Sequence, residues 1–227
     1  ISSFPEGLTN PLIQNGNNSL FLILSILIIL GGIGFPILVN FKDIFFFHIK
    51  RCWTFVTTGQ WKKRGRRHLY NLNTRIVLIT TAILLVFGYT IVLLFEWNNS
   101  LGDQTFWGKL THGFFMAVTP RSAGFSNVDL NAYHPQTLML FVVYMWIGGA
   151  SQSTAGGIKV NTLAVVFLNL RSVIRGTERI EVLGRQLSYE SIRRSNAAVI
   201  ISLLTLFFSL LIFFFLEPEL PLKHLII

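Results

Sequence analysis

A single cysteine, Cys52, stands among 227 residues. It excludes an intrachain disulfide and any metal cage built from cysteine thiolates. Charge is scarce too: Asp, Glu, Lys and Arg make up 13% of the chain, against 52% hydrophobic residues and 21 Phe. The apolar residues gather into blocks instead of recurring at amphipathic spacing, which is the pattern of a polytopic membrane chain. A formal net charge of +9 invites nucleic-acid binding, but the cations sit between the apolar blocks, so no nucleic-acid partner is expected. The chain also lacks an initiating Met, a signal peptide and a polar lead-in, and it ends in another apolar run. It reads as a piece of a longer polypeptide.

The blocks and the cations between them set out a topology. Residues 1–18 are rich in Asn, Pro and Gly and read as an extracytoplasmic loop; its Asn17-Asn18-Ser19 acceptor tripeptide is of a kind that arises by chance. An apolar helix is expected over 19–41, about 30 Å long at 1.5 Å per residue. Its Gly31, Gly32 and Gly34 permit close approach of another backbone, and Pro36 a kink. A basic loop follows over 42–74, including Lys62-Lys63-Arg64-Gly65-Arg66-Arg67, then a helix over 75–96. Trp97 and Trp107 suit an interfacial belt. Nine of the nineteen Lys and Arg lie between Lys42 and Arg75 and six between Arg171 and Arg194. The positive-inside rule therefore places the loops 42–74 and 171–194 in the cytoplasm, near anionic lipid. A last helix is expected over 195–216, with 217–227 on the outer side.

The block 104–118 is apolar but short, so as a helix it covers only roughly 20 Å and cannot cross. It has to turn back at Thr119-Pro120-Arg121-Ser122-Ala123-Gly124-Phe125, since Pro120 disfavours helical geometry at Thr119. Irregular backbone at membrane depth survives only when buried in protein or lining a watery path. A second break, Gly148 to Gly157, interrupts a helix over 136–170. Residues 75–170 then form one complete unit of helix, half-helix, loop and broken helix. The helix over 19–41 reads as the end of a preceding unit, because its Leu30-Gly31-Gly32 falls where Ile147-Gly148-Gly149 falls in the complete one.

A half-helix that ends near the membrane centre points its negative dipole end there and favours a cation. Glycine backbone freedom lets consecutive carbonyls, those of Ser122, Ala123, Gly124 and Phe125, face one axis and replace the water around K⁺. No carboxylate is needed. Thr119, Pro120 and Arg121 support that strand, although Arg121 is itself positive and has to be held off the axis or paired, Asp129 being the candidate. A plain tight turn in a buried helical hairpin is the alternative. The second loop suggests phosphate cradling by composition, but Gly157-Ile158-Lys159-Val160 fails the Walker pattern. Its residues Gly148, Gly149, Ser151, Gln152, Ser153, Thr154, Gly156 and Gly157 better suit a movable barrier, with Lys159 repelling ions or snorkelling toward the cytoplasm.

Two other classes compete. A membrane enzyme would use Ser151, Ser153 or Thr154 as nucleophile and His112 or His134 as base, but neither His is near in sequence and no carboxylate is placed to orient one. A non-conducting membrane receptor or scaffold would share the topology.

Val118-Thr119-Pro120-Arg121-Ser122-Ala123-Gly124-Phe125 followed by Gly148-Gly149-Ala150-Ser151-Gln152-Ser153-Thr154-Ala155-Gly156-Gly157-Ile158-Lys159 resembles the third repeat of the Trk/Ktr/HKT potassium transporters. The resemblance covers essentially the whole chain. It implies an all-α polytopic membrane protein of the bacterial inner membrane, in which four units like potassium-channel subunits surround one pore. This chain would run from the end of the second unit to the start of the fourth. It implies K⁺ uptake with Na⁺ or H⁺ coupling and no other cofactor, a filter at Ser122 to Phe125 and an intramembrane gate at Gly148 to Lys159. It also implies a homodimer and a cytosolic nucleotide-binding regulatory ring. Members commonly carry Gly where this chain has Gln152, and often Gly where it has Ala155.

Overall fold

The computed structural model describes residues 18–40, 42, 46, 49, 53, 72–121, 123–128, 132–176, 181–182, 185–186 and 188–216. Cys52, the Lys62 to Arg67 cluster, Ser122, Asp129 and the expected outer segments 1–17 and 217–227 lie outside the described residues. The described part is helical, apart from one hairpin. Its elements are α1 (Asn18–Ile33), α2 (Leu72–Glu96), α3 (Phe106–Val118), α4 (Pro135–Trp146), α5 (Val160–Ile174), β1 (Glu181–Val182), β2 (Arg185–Gln186) and α6 (Tyr189–Leu216). The two strands pair antiparallel.

Asn73–Glu96 within α2, and α6, are long and apolar enough to cross a bilayer unaided, whereas α1, α4 and α5 are shorter apolar helices. The first apolar block is not one continuous helix. It breaks at Gly34, whose φ is +87°, and helical structure resumes at 35–40 with Ile37 and Leu38 N–H donating to Gly34 O. The break falls at Gly34 because only a glycine adopts that backbone cheaply there. Pro36 sits in the first turn of the resumed helix, where its missing N–H costs nothing. At the other end of the chain α6 starts at Tyr189, ahead of its apolar run, where the preceding Ser188 accepts through Oγ from Ser191 N–H at 3.3 Å; Glu190 and Arg194 also pair at i, i+4 on its exposed opening turns. Such an exposed pair contributes little.

The half-helix α3 is the wedge that the other elements hold. Thr105 caps it, its Oγ1 accepting from Gly108 N–H at 3.2 Å, which satisfies one of the unpaired amides of the first turn. On one side Phe115 meets Phe21 of α1 edge-on at 5.2 Å between ring centres. On the other, Met116 and Ala117 join Val92 of α2, Leu101, Tyr133, Leu138 and Phe141 in the main apolar core. Each such large side chain removed from water adds roughly 1.5–3 kcal/mol at most, and one removed from lipid gains only close packing. α4 locks on α2 through Tyr144, whose hydroxyl donates to Leu84 O at 2.6 Å over Gly88, where a Cβ would meet the ring at 2.9 Å.

Candidate functional site

α3 stops at Val118, but its C-cap, Thr119, keeps helical backbone at φ −61° and ψ −35° and donates its N–H to Phe115 O. Pro120 ends the helix not by forcing Thr119 out of that region, as the sequence suggests, but by following it with no N–H to donate. The chain then closes a tight turn on Thr119: Ala123 and Gly124 N–H both donate to Thr119 O, at 3.1 and 3.3 Å, and Thr119 Oγ1 donates to Phe125 O at 2.6 Å. Thr119 and Arg121 are buried while Gly124 and Phe125 are exposed, so the turn has one packed face and one open face. Gly124 has φ +68° and no atom within 4 Å of where its Cβ would stand. Its glycine is required by backbone conformation, not by crowding. Of the four expected filter positions, Ser122 lies outside the described residues, and Phe125 O already holds the Thr119 hydroxyl.

The loop between α4 and α5 is closed at its neck like a short parallel bridge. Gly148 N–H donates to Ile158 O, Ile158 N–H to Trp146 O and Val160 N–H to Gly149 O, each at 2.9 Å. The two backbones touch there: a Cβ on Gly148 would fall 1.5 Å from Gly156 O, and one on Gly157, at φ +66°, 2.6 Å from Trp146 O. Beyond the neck the loop lies on the glycine stretch of α1. Ala150 N–H donates to Gly32 O at 2.8 Å, Thr154 N–H and Oγ1 both reach Gly31 O at 3.4 Å, and Gly34 would bring a Cβ to 3.1 Å from Ser151 O. Close backbone approach is what small residues in membrane helices permit, and here the approaching backbone is this loop. Lys159 turns back onto the loop, its Nζ donating to Ala155 O at 2.7 Å. Ser153 Oγ accepts from Ala155 N–H.

Arg121 joins the two loops: its guanidinium donates to Gly148 O at 3.2 Å in a buried setting. Asp129, the partner the sequence suggests, lies outside the described residues.

The family profile described as TrkH, cation transport protein, matches residues 13–222. The chain belongs to that family. It is 34% identical over 193 residues to the potassium/sodium uptake protein NtpJ of Enterococcus hirae, covering 85% of this chain and 37% of that protein. With the Ktr system potassium uptake protein B of Vibrio alginolyticus it shares 31% over 178 residues, 78% of this chain and 35% of the relative. The chain thus spans little more than a third of the length of these relatives. Its fold matches the crystal structure of the potassium transporter TrkH from Vibrio parahaemolyticus with a TM-score of 0.54 at 16% identity, over 88% of this chain and 38% of that one.

This TrkH-family chain holds two polar networks that sequence reasoning missed, one tying the end of α2 to the start of α4 and one behind the turn after α3. Glu96, fully buried at the end of α2, accepts through Oε1 from His134 N–H at 2.9 Å and Thr137 Oγ1 at 2.6 Å. Its Oε2 accepts from Asn99 Nδ2 and Ser100 Oγ, both at 2.8 Å. A carboxylate is unfavourable at the C-terminal end of its own helix, and that mismatch is the signal that was available. The positive end of α4 resolves it. Behind the open strand, Asn127 Nδ2 lies 3.1 Å from Nδ1 of buried His112, whose ring packs on Phe21. The two histidines offered as catalytic bases are thus placed in the scaffold: His112 behind the turn at Thr119 and His134 as the N-cap of α4.

Gln152 carries φ +63°, the non-glycine residue with positive φ among those described. A left-handed backbone costs a residue with a Cβ about 1–2 kcal/mol, offset in part by the entropy a glycine loses on ordering. Gln152→Gly should therefore stabilise the protein by up to about 1 kcal/mol, seen as a raised thermal midpoint in detergent. A lowered midpoint would show that the Gln152 side chain contributes more than its backbone strains.

Proposed function

We propose that this chain supplies one side of a four-sided K⁺ uptake pore in the bacterial inner membrane, with carbonyls of the Ser122 to Phe125 strand facing the ion and the loop Gly148 to Lys159 as gate. The observation that carries the reading is Gly124: a left-handed glycine on the open face of a turn that directly follows the C-terminal end of a half-helix. Such an end favours a cation, and such a strand turns backbone carbonyls outward without any acidic side chain. The names of the relatives, a potassium/sodium uptake protein and a potassium uptake protein, agree with it. Coupling to Na⁺ or H⁺, a homodimer and a cytosolic nucleotide-binding ring docked on the basic segments 42–74 and 171–194 belong to the same proposal. The three other sides of the pore would come from other repeats.

Gly124→Ala tests the filter. With open space around the Cβ position the variant should fold, but its backbone is strained by about 1–2 kcal/mol. In the complete polypeptide that carries this chain, relieving that strain would turn the Gly124 peptide and misalign its carbonyl, so K⁺ over Na⁺ discrimination in uptake assays should fall. Unchanged uptake and selectivity would make the filter assignment wrong. Absence of any cation flux from the unsubstituted polypeptide would favour the receptor or scaffold reading.

A further inference from the structure

Arg121 is the cation that the pore reading leaves unused. It is 9% exposed, and among the described residues no carboxylate pairs with it. A guanidinium at membrane depth is expensive unless compensated. Its compensation here is backbone: it follows directly on the C-terminal end of α3, and it donates to Gly148 O just past the C-terminal end of α4. Both are negative helix ends. Arg121 also lines a cavity of about 10 Å³ with Thr81, Gly32 and Gly149, and its Nε has no hydrogen-bond partner among the described residues. That space is about one water molecule in size and touches α1, α2, the filter turn and the gate loop at once.

We propose that Arg121 is a positioning residue that holds the gate loop seated on α1, tying the filter turn to the closed gate through Gly148. This inference rests on the functional reading only for the word gate; the strut itself rests on geometry. At its root Arg121 is fixed within the filter turn, its N–H donating to Val118 O at 3.2 Å next to the Thr119 bonds that shape Ala123 and Gly124. At its tip it grips the neck of the loop whose next residues, Gly149 and Ala150, lie on Gly32. Unseating the loop withdraws a carbonyl from a buried cation, so Arg121 opposes opening. Any movement at the neck is in turn transmitted to the filter turn through one side chain.

The test uses the complete polypeptide with Cys52→Ser and a reporter thiol at Ala150→Cys, a position fully buried against Ile37 and Val77 and reactive only when the loop leaves its seat. Arg121→Gln should speed modification of that thiol by about tenfold to a hundredfold, the effect of losing a hydrogen bond to a charged group. Arg121→Lys, keeping charge and a donor, should fall between. A second reporter, Met116→Cys in the core on the far side of α3, should keep its rate. Equal acceleration at both thiols would reduce Arg121 to general stability, and no acceleration at either would remove the strut; both outcomes overturn the proposal. Loss of K⁺ preference in Gly124→Ala with no effect of Arg121→Gln leaves the pore and removes the strut. The converse result leaves the strut and removes the filter.

Discussion

Gly148→Ala abolishes the closed form of the loop between α4 and α5. The added Cβ would stand 1.5 Å from Gly156 O and 2.7 Å from Gly156 C, inside any permissible contact, and both are backbone atoms that no rotamer change can move aside. Overpacking of a core typically costs about 1–3 kcal/mol, and a clash with main chain at the base of a bridged loop belongs at or above the upper end, about 3–5 kcal/mol. The bonds from Gly148 N–H to Ile158 O and from Arg121 to Gly148 O are lost with the neck. The internal control is Gly156→Ala, eight positions on, where a Cβ meets nothing within 4 Å. It should leave stability within about 0.5 kcal/mol of the parent. Thermal unfolding of both variants in detergent decides the matter: equal midpoints would mean that the loop does not close at Gly148.

Glu96→Ala should cost about 2–3 kcal/mol and Glu96→Gln about 1–2 kcal/mol. The carboxylate is an acceptor on both oxygens, and its partners are all donors: His134 N–H and Thr137 Oγ1 on one side, Asn99 Nδ2 and Ser100 Oγ on the other. Alanine strands the buried Thr137 hydroxyl, whereas Ser100 is half-buried and Asn99 and His134 are exposed enough to turn to water. Glutamine keeps the shape but turns an NH₂ toward one of the two donor sets, and at least one partner has no hydroxyl to rotate. Because Glu96 bridges the end of α2 to the start of α4, both variants should loosen the outer end of the unit without touching either loop directly. Lowered thermal midpoints with an unchanged rate at Ala150→Cys would agree with this. A Glu96→Gln variant as stable as the parent would show that the network contributes nothing net.

The membrane class and the helical architecture were legible because both follow from composition along the chain: apolar blocks need lipid, and helices satisfy their own backbone there. Sequence reasoning also picked out the glycine-bearing stretches around Gly124 and Gly148, since irregular backbone between apolar blocks is conspicuous. It did not rank the glycines. Gly124 is a conformational requirement in open space, Gly148 a steric one against Gly156, and Gly156 neither, although the two loops look alike in letters. For Arg121 the sequence offered Asp129, which lies outside the described residues, and it gave no sign of the carbonyl contact to Gly148. Charge complementarity is readable along a chain; a backbone acceptor carries no letter of its own.

What the sequence determined by itself, then, is everything that depends on neighbours along the chain: which blocks suit lipid, where Pro120 stops a helix, and the two motifs whose spacing resembles one transporter family. The tertiary structure decided what depends on approach across it. Gly31 meets Thr154 at a separation of 123 residues, Glu96 meets Thr137 at 41 and Arg121 meets Gly148 at 27. Those contacts decide which glycine tolerates a methyl group, why a carboxylate is stable at the wrong end of its helix, and what holds the turn after α3 to the loop between α4 and α5. The reason is physical: steric exclusion and hydrogen bonding act over a few ångströms of space, and no local pattern records which distant backbone will occupy that space.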